Sequence, residues 1–567
     1  MTKDKRMSAE ILENTEYADV PSQGFFFVPL GGVGEIGMNF GLYACDGEWM
    51  AVDCGIGFAG EGLPGIDKLL PDPAFAQKIA PDLKGLVITH AHEDHIGAVA
   101  HFWPLLRCPV YVTAFAAEIL EDRLDEAGLL GRVPVTVVSI GDALELGPFE
   151  IEFSELNHSI PESASLLIKT KYGSVFHTGD WKFDPEPVIG LPANEKSVKR
   201  LQKEKLLALI GDSTNVFVED DGLSEADVRR SLTDIFARHE TRRIVVTCFA
   251  SNVGRMESIA YAAAQNNREV CLVGRSLWRI EGAGRAAGYF KDVPVFLTPD
   301  EARELPANRV IYVLTGCQGE PKAALSNLSY GVLNAVQLEP KDVVIFSSRT
   351  IPGNEQAIAN IQNRFIDKRI KVITSAHELV HVSGHANRND MERMYKAVKP
   401  RLLIPVHGET AHLNEHASLA KKAGVEKTLI VKDGDIVRFA PEEPCVLGRV
   451  RTGVLAVDAK KIIPVNADVI RKRRKMINEG TVIVTLVLDK KGDIVGQAQV
   501  SAVGLLDSDS EDMTALKQSV REEIEALSAE KRRDDTVISD TVKAGVRKSV
   551  METHGRKPMV ETHLVRI

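Results

Sequence analysis

Four side chains of metal-binding type, His90, His92, Asp94 and His95, fall within the run ITHAHEDHIG at 88–97. The preceding LVIT at 86–89 reads as a short buried strand, so they sit on the loop at its C-terminal end. Loops in that position are where α/β proteins place chemistry. In an extended loop His90 and His92 point the same way and can share one cation, while Asp94 and His95 lie beyond it and can reach a second. Neutral imidazole with carboxylate suits Zn²⁺, and Mn²⁺ competes when carboxylates are several. A lone H-x-H is weak evidence, since solvated polar clusters are common. H-x-H-x-D-H between an apolar strand and Ile-Gly is strong.

Further polar residues follow strand-like runs. His158 lies in SELNHSIPES, Asp180 follows Val175-Phe176 in SVFHTGDWKFD, and Asp212 lies within LIGDSTN. Taken singly, a histidine is more often a satisfied core or surface residue, and an Asp after Gly a turn former. HELVHVSGHANRND then carries His381, Ser383, Gly384 and His385, and LLIPVHGE carries His407. Asp53, ending AVD, is placed either to support a ligand histidine or to make an ordinary turn. The glycines of GGVGEIG at 31–37 match neither a Rossmann nor a Walker spacing, and read as turn geometry near the active centre.

The elements that must position these residues change character along the chain. Residues 24–53 alternate apolar runs with glycine turns, as in an antiparallel meander. From about 224 to 372 strands and helices alternate: SEADVRRSLTDIFARH, RRIVVTCFA, GRMESIAYAAAQ, EVCLVG, VIYVLTG and DVVIFSS. That repetition implies a parallel sheet with helices on its faces. Its strand-end loops carry Ser251, Asn252 and Arg349. Histidines reappear afterwards, which implies an α/β domain inserted into a host that resumes near 373. After the linker-like AVDAKKIIPVNADVI come RKRRK at 471–475 and a small α+β pattern: paired strands around KKGD, helices near 511–530 and 535–550, and a strand near 558–566.

Composition bounds the class. At 567 residues the chain holds several domains, and it has no apolar stretch near the ~18 residues of a membrane span. The N-terminal MTKDKRMSAEILENTEYADV lacks a signal-peptide core, so export is not expected. Seven scattered cysteines without a CxxC pair argue against a disulfide framework and a Cys-type zinc site, and fit a reducing cytoplasm. A net charge of −10 advertises no polyanion partner, so any nucleic-acid contact rests on a local basic lining or on metals.

The order of H-x-H-x-D-H, then a lone His, then Gly-Asp at strand ends resembles the metallo-β-lactamase fold. GDSTN, SGHA and PVHGE with the inserted domain resemble its β-CASP branch, whose members cut nucleic acids. HAHEDHIG, NHSIPES, HTGDWKFD, FASN, TGCQGEP, SSRTIPGNE and HVSGHA closely resemble the bacterial ribonuclease J family, from about residue 24 onward. Two departures stand out, Val-Gly-Arg after Ser251-Asn252 and Ala91 where Gly is common; neither removes a ligand.

The resemblance implies an α/β architecture: a metallo-β-lactamase αββα sandwich at 1–215 and 373–455, an inserted β-CASP domain at 216–372, a linker at 456–467 and an oligomerisation domain at 468–567. It implies His90, His92 and His158 on one metal, Asp94, His95 and His407 on another, and Asp180 bridging. The metals, two Zn²⁺ with Mn²⁺ or Mg²⁺ serving in vitro, would activate the attacking water. His385 would be general acid or transition-state donor, oriented by Asp212, or else a phosphate donor only. Ser251, Asn252, Arg349, His381, Ser383, Gly384 and His385 would contact RNA. Gly65, Asp67 and Asp458 match a structural calcium site of relatives.

The activity so implied is cytoplasmic hydrolysis of RNA in maturation and mRNA decay, endonucleolytic and 5′-to-3′ exonucleolytic. The preferred substrate is single-stranded RNA with a 5′ monophosphate, and the partners are a homodimeric or homotetrameric assembly and RNA-degradation machinery, with no membrane. Residue chemistry alone supports metal-assisted hydrolysis of an anionic ester. A β-CASP nuclease acting on DNA shares every ligand. A small-molecule thioesterase or lactonase is disfavoured by the inserted domain, and a non-catalytic RNA scaffold by the complete ligand set.

Overall fold

Apolar runs cut by glycine turns form the strands Phe25–Gly31, Phe40–Cys45 and Glu48–Val52, paired antiparallel in sequence order. They belong to a computed structural model that describes residues 17–60, 62–204, 206–219 and 222–567. Most of the N-terminal stretch read above for an export signal, up to residue 16, lies outside them. The three strands are the centre of an eight-stranded sheet continued by Leu83–Val87, Val110–Val112 and Val135–Val137 on one side and Asp435–Ala440 and Cys445–Arg449 on the other. A seven-stranded sheet runs Ala143–Leu146, Phe149–Glu155, Ala164–Thr170, Gly173–His177, Leu206–Asp212, Leu402–Val406, Lys427–Thr428.

The two sheets share one apolar core, in which Phe25, Phe27, Tyr43 and Val52 meet Phe149, Ile151, Phe153, Leu166 and Val175. Each such aromatic or aliphatic side chain contributes about 1.5–3 kcal/mol through burial. The far face of the second sheet is covered by Met391, Met394, Tyr395 and Leu419 from the helices Arg388–Val398 and Thr410–Lys422. This is the metallo-β-lactamase fold with its helices outside. Glu48–Val52 runs parallel to Leu83–Val87, and Gly173–His177, Leu206–Asp212 and Leu402–Val406 run parallel to one another. Parallel pairing brings the C-terminal ends of each set to one edge, and the candidate ligands except His158, which follows the antiparallel Phe149–Glu155, leave from those ends.

The inserted domain is a five-stranded, wholly parallel sheet in the order Glu269–Val273, Val310–Leu314, Ile244–Thr247, Val343–Phe346, Lys371–Ile373. Its inner strands are continuous apolar runs, as sheets covered on both faces require. Ser224 and Asp227 form a capping box that starts the helix Glu225–Arg238. Asn252 caps Val253–Gln265 by accepting from the Arg255 N–H at 2.8 Å.

Arg255, part of the Val-Gly-Arg departure, is fully buried. Its Nε donates to Glu225 Oε1 at 2.7 Å and its Nη2 to Oε2 at 2.9 Å. Nη1 donates to Ser347 O, Ser347 Oγ and Val380 O at 2.9, 2.7 and 3.0 Å. One guanidinium therefore ties the segment entering the inserted domain to the segment leaving it.

The contacts divide the chain into two compact units: residues up to Gly57 with Leu70–Gly453, and Phe58–Leu69 with Val454–Ile567. In the second, Thr481–Leu488 pairs antiparallel with Gln499–Val503 and parallel with Met559–Arg566. The helices Glu511–Glu525 and Asp535–His554 supply Met513, Leu516, Val520, Ile538, Val542 and Val546 to the core beneath that sheet.

Two expectations change in this unit. The stretch 456–467, read as a linker, contains most of an antiparallel hairpin, Val454–Asp458 with Lys461–Pro464, and Ala456 joins Ile66 and Ile470 in a small core. The calcium reading does not fit, because Arg473 Nη1 and Nη2 hold both carboxylate oxygens of Asp458 at 2.9 and 2.8 Å. The same guanidinium lies 3.6 Å from where Gly65 would carry a Cβ, and Asp67 is exposed. A built-in cation thus stands where a calcium would need free oxygens. In the RKRRK run, Arg471 and Lys472 pair with Asp468, and Arg474 donates to Gly62 O.

Removing one partner of a buried ion pair leaves the other charge uncompensated. Arg255→Met should therefore lower the unfolding free energy by about 3–5 kcal/mol in urea titrations. A loss below about 1 kcal/mol would show that the pair does not fasten the inserted domain.

Candidate functional site

Leu83–Val87 delivers Thr89, His90 and His92, and the short helix Glu93–Ile96 presents Asp94 and His95. His158 follows Phe149–Glu155, Asp180 follows Gly173–His177, and His407 follows Leu402–Val406. The structure brings all seven together. His92 Nδ1 lies 3.1 Å from His90 Nε2 and 3.0 Å from His158 Nε2. Asp180 Oδ2 is 3.7 and 3.6 Å from those two Nε2 atoms. On its other side Asp180 Oδ2 lies 3.3 Å from His95 Nε2 and 3.6 Å from His407 Nε2, and Asp94 Oδ2 is 3.7 Å from each of these nitrogens. Ligands on a tetrahedral Zn²⁺ with bonds of 2.0–2.1 Å stand about 3.3 Å apart, so both groups have the spacing of a coordination shell.

Surrounding hydrogen bonds fix which ring nitrogen faces inward. Thr89 Oγ1 donates to Asp53, 3.0 Å from each carboxylate oxygen, and so accepts from His90 Nδ1 at 3.0 Å. His158 Nδ1 donates to Gly384 O at 2.7 Å, His95 Nδ1 to Asp53 Oδ2 at 2.7 Å, and His407 Nδ1 to Asn39 Oδ1 at 3.0 Å. Nε2 of His90 and His158 then both aim a lone pair at His92 Nδ1, which has at most one proton to give. A shared cation resolves that convergence. Orienting partners of this kind hold ligand histidines in their working tautomer.

Charge follows from burial and neighbours. Burial, reinforced by the other imidazoles, drives the pKa of His90 and His158 well below the usual value and that of His92 to about 4, so all three are neutral donors. Burial opposes charge on His95, yet Asp180, Asp53 and Asp94 outweigh it and raise its pKa far above normal. A proton therefore competes with a cation at that ring. Burial also resists ionisation of Asp180, but His407, His95 and His385 hold it well below the carboxylate range.

His385 stands beside this cluster with its Nδ1 2.8 Å from Asp212 Oδ2 and 3.9 Å from Asp180 Oδ2. Burial lowers its pKa, but the Asp212 and Asp180 carboxylates overcome it and raise the value to about 9. Divalent cations at Asp180 would oppose that shift. Asp212 is itself held by Thr214, whose N and Oγ1 donate to Oδ1 at 2.9 and 2.7 Å.

The backbone is shaped to this purpose. Asp53 and His407 adopt φ of 61° and 52°, left-handed conformations that cost non-glycine residues roughly 1–3 kcal/mol. A Cβ on Gly55 would fall 1.7 Å from Asp94 O, so only glycine lets that strand end pack on the metal-motif turn. The glycine run ends as turn geometry at the centre: Val33–Gly34 pairs with Gly408–Glu409, and the Gly37 N–H lies 3.4 Å from His407 Nδ1.

Residues expected at RNA divide into two groups. Ser251 Oγ lies 3.2 Å from His92 Nε2, Ser383 Oγ accepts from the His385 N–H at 3.3 Å, Gly384 O holds His158, and Arg349 is exposed. Asn252 is buried as a helix cap, and His381 lies against Arg255 Nη1 at 3.4 Å, where burial and the Arg255, Arg349 and Lys182 charges keep it neutral. Asn39, Thr89 and Asn215 were missed as supporting residues. Thr89 and Asn215 lie inside the ITH and GDSTN motifs, whereas Asn39 carries no local signal.

Four family patterns match this chain: Beta-lactamase superfamily domain at 48–194, Ribonuclease J, beta-CASP domain at 241–365, Zn-dependent metallo-hydrolase RNA specificity domain at 369–431, and Ribonuclease J C-terminal domain at 468–567. Ribonuclease J of Sinorhizobium meliloti is 40% identical over 95% of this chain and 97% of its own length. Ribonuclease J of Mycolicibacterium smegmatis is 35% identical over 96% and 98%, and that of Synechocystis 34% over 86% and 76%. Among solved structures, an Enterococcus faecalis protein of unknown function aligns with 73% of this chain and all of its own at a TM-score of 0.51 and 14% identity, a likeness of fold.

Replacing Asp53 with Ala should free the His95 ring and weaken divalent-metal affinity about 10–100-fold in competition with a chromogenic chelator. Unchanged affinity would show that Asp53 does not orient a ligand.

Proposed function

The chain belongs to the ribonuclease J family, and from that premise we propose that it is a zinc-dependent ribonuclease acting 5′-to-3′ from 5′-monophosphate ends and also endonucleolytically. The observation that carries the reading is the convergence of two donor groups on one buried carboxylate, Asp180, with the Asp212–His385 pair beside them. His90, His92 and His158 would hold one cation and Asp94, His95 and His407 the other, with Asp180 between. The donor set is imidazole and carboxylate, which suits Zn²⁺ and admits Mn²⁺. When bound, such a pair lowers the pKa of coordinated water towards ~7 and so supplies a nucleophile at neutral pH.

The remaining work falls to side chains of the protein. In hydrolysis water oxygen joins phosphorus and the P–O3′ bond breaks, leaving a 5′ phosphate and a 3′ hydroxyl. Asp212, accepting from His385 Nδ1, keeps that ring protonated and leaves Nε2–H to be given to the departing 3′ oxygen. Backbone amides and Ser383 in the 383–385 loop, Ser251 beside His92, and exposed Arg349 line the approach for phosphate oxygens. Glycine at 384 lets the loop pack on His158: a Cβ there would sit 2.7 Å from His158 Nδ1.

On this reading 1–215 and 373–455 form the catalytic host, 216–372 the substrate-covering domain, and 468–567 the region through which copies form a dimer or tetramer. The enzyme would work in the cytoplasm; among the described residues no helix is long and apolar enough to cross a membrane.

The test is cleavage of end-labelled RNA bearing a 5′ monophosphate, beside its 5′-triphosphate twin and a DNA copy. Mononucleotides should appear faster from the monophosphate RNA and vanish with Asp94→Ala. His385→Ala should retain its metal and lose about 10²–10⁴-fold in kcat. Cleavage of DNA alone would instead identify a DNA nuclease, and no cleavage of either would refute the nuclease reading.

A further inference from the structure

Asn215 is 2% exposed and lies three residues beyond Asp212, and its amide is used at both ends. Its Nδ2 donates to Ser383 Oγ at 2.8 Å and to His385 O at 3.1 Å. Its Oδ1 accepts from Arg349 Nη1 at 2.7 Å. Arg349 is on the loop after Val343–Phe346 in the inserted domain, whereas Asn215 follows Leu206–Asp212 of the host. The Arg349 backbone is fixed separately: Gln318 Nε2 donates to Arg349 O at 2.8 Å, and Gln318 Oε1 accepts from the Ile351 N–H at 2.9 Å. The guanidinium is thus an exposed cation whose direction is set by one neutral, buried acceptor. That leaves its charge uncancelled and its other N–H groups for a phosphate.

We propose that Asn215 is a positioning residue that couples Arg349, as a clamp on the substrate's phosphate backbone, to the 383–385 loop that carries the acid His385. The proposal rests on the ribonuclease reading above. An amide is the group that can do this: it donates to the loop and accepts from the arginine with no charge of its own. Phosphate drawing on Arg349 pulls on the same side chain that holds Ser383 Oγ and His385 O, so clamp and acid are set together. Lysine at 349 would lack the planar fork that reaches Asn215 and phosphate at once.

The experiment is a double-substitution cycle on the full-length, metal-loaded protein with 5′-monophosphate RNA, reading kcat and KM separately. Arg349→Gln should raise KM and lower kcat, together costing about tenfold in kcat/KM, as loss of a charge-assisted contact does. Asn215→Ala should lower kcat by a comparable factor, and Arg349→Gln added to it should cost less than about twofold more, because the link is already cut. Asn215→Asp, which loses the donors and also sets a carboxylate against the Arg349 guanidinium, should raise KM as well as lower kcat, and an unchanged KM would contradict the need for a neutral acceptor. Metal content and melting temperature are recorded for each protein, and if Asn215→Ala does not fold, the cycle is run on Asn215→Ser, whose shorter side chain also cuts the link. Full multiplication of the two single effects, or an Arg349→Gln effect confined to KM, would overturn the coupling. Failure of the wild type to cut RNA would instead bring down the reading on which it rests.

Discussion

The structure is organised around one electrostatic problem: seven nitrogen and oxygen donors face one another at an edge shared by two sheets, largely out of water. Lone pairs and carboxylates so placed repel unless a cation or protons sit among them, and an unpaired buried charge costs several kcal/mol. The fold meets this by fixing the rings of His90, His95, His158 and His407 from behind. Asp53, Thr89, Asn39 and Gly384 O take the outward N–H groups or hold what does, so donors cannot rotate away to find other partners. The strained backbone at Asp53 and His407 and the bare Gly55 have the same purpose, since each lets the chain bring a ligand closer than an ordinary loop would.

The inserted domain adds a second constraint. It leaves the host before Glu225 and rejoins it near Val380, and the guanidinium of Arg255 binds both crossings. Five residues beyond Val380 comes His385, so the fastening of the insert also bears on where the 383–385 loop lies. Ser251 reaches His92 from the same side. Inserted domain and donor cluster are in this sense one assembly, with the clustered histidines of the host beside inserted-domain side chains.

What the sequence disclosed follows the range of the interactions. The H-x-H-x-D-H motif is local, and it was legible from spacing alone. His158, Asp180 and His407 come from loops far apart in the chain, and only resemblance to relatives gathered them before the structure did. The strand and helix pattern of the insert was legible because a covered parallel sheet writes itself as apolar runs. The roles of Asn39, Arg255 and Asn215 were not: each acts through a partner thirty or more residues away. The same holds for Phe58–Leu69, whose Ile66 packs with Ala456 and Ile470.

The central claim is that the donors around Asp180 are two cation sites sharing one carboxylate. Metal content per chain, measured by mass spectrometry on wild type and Asp180→Ala after equilibration with Zn²⁺, tests it most directly. The account predicts two tightly held divalent ions in the wild type and a weakening of both in the variant. A single ion, or a variant that keeps both at wild-type affinity, would contradict it.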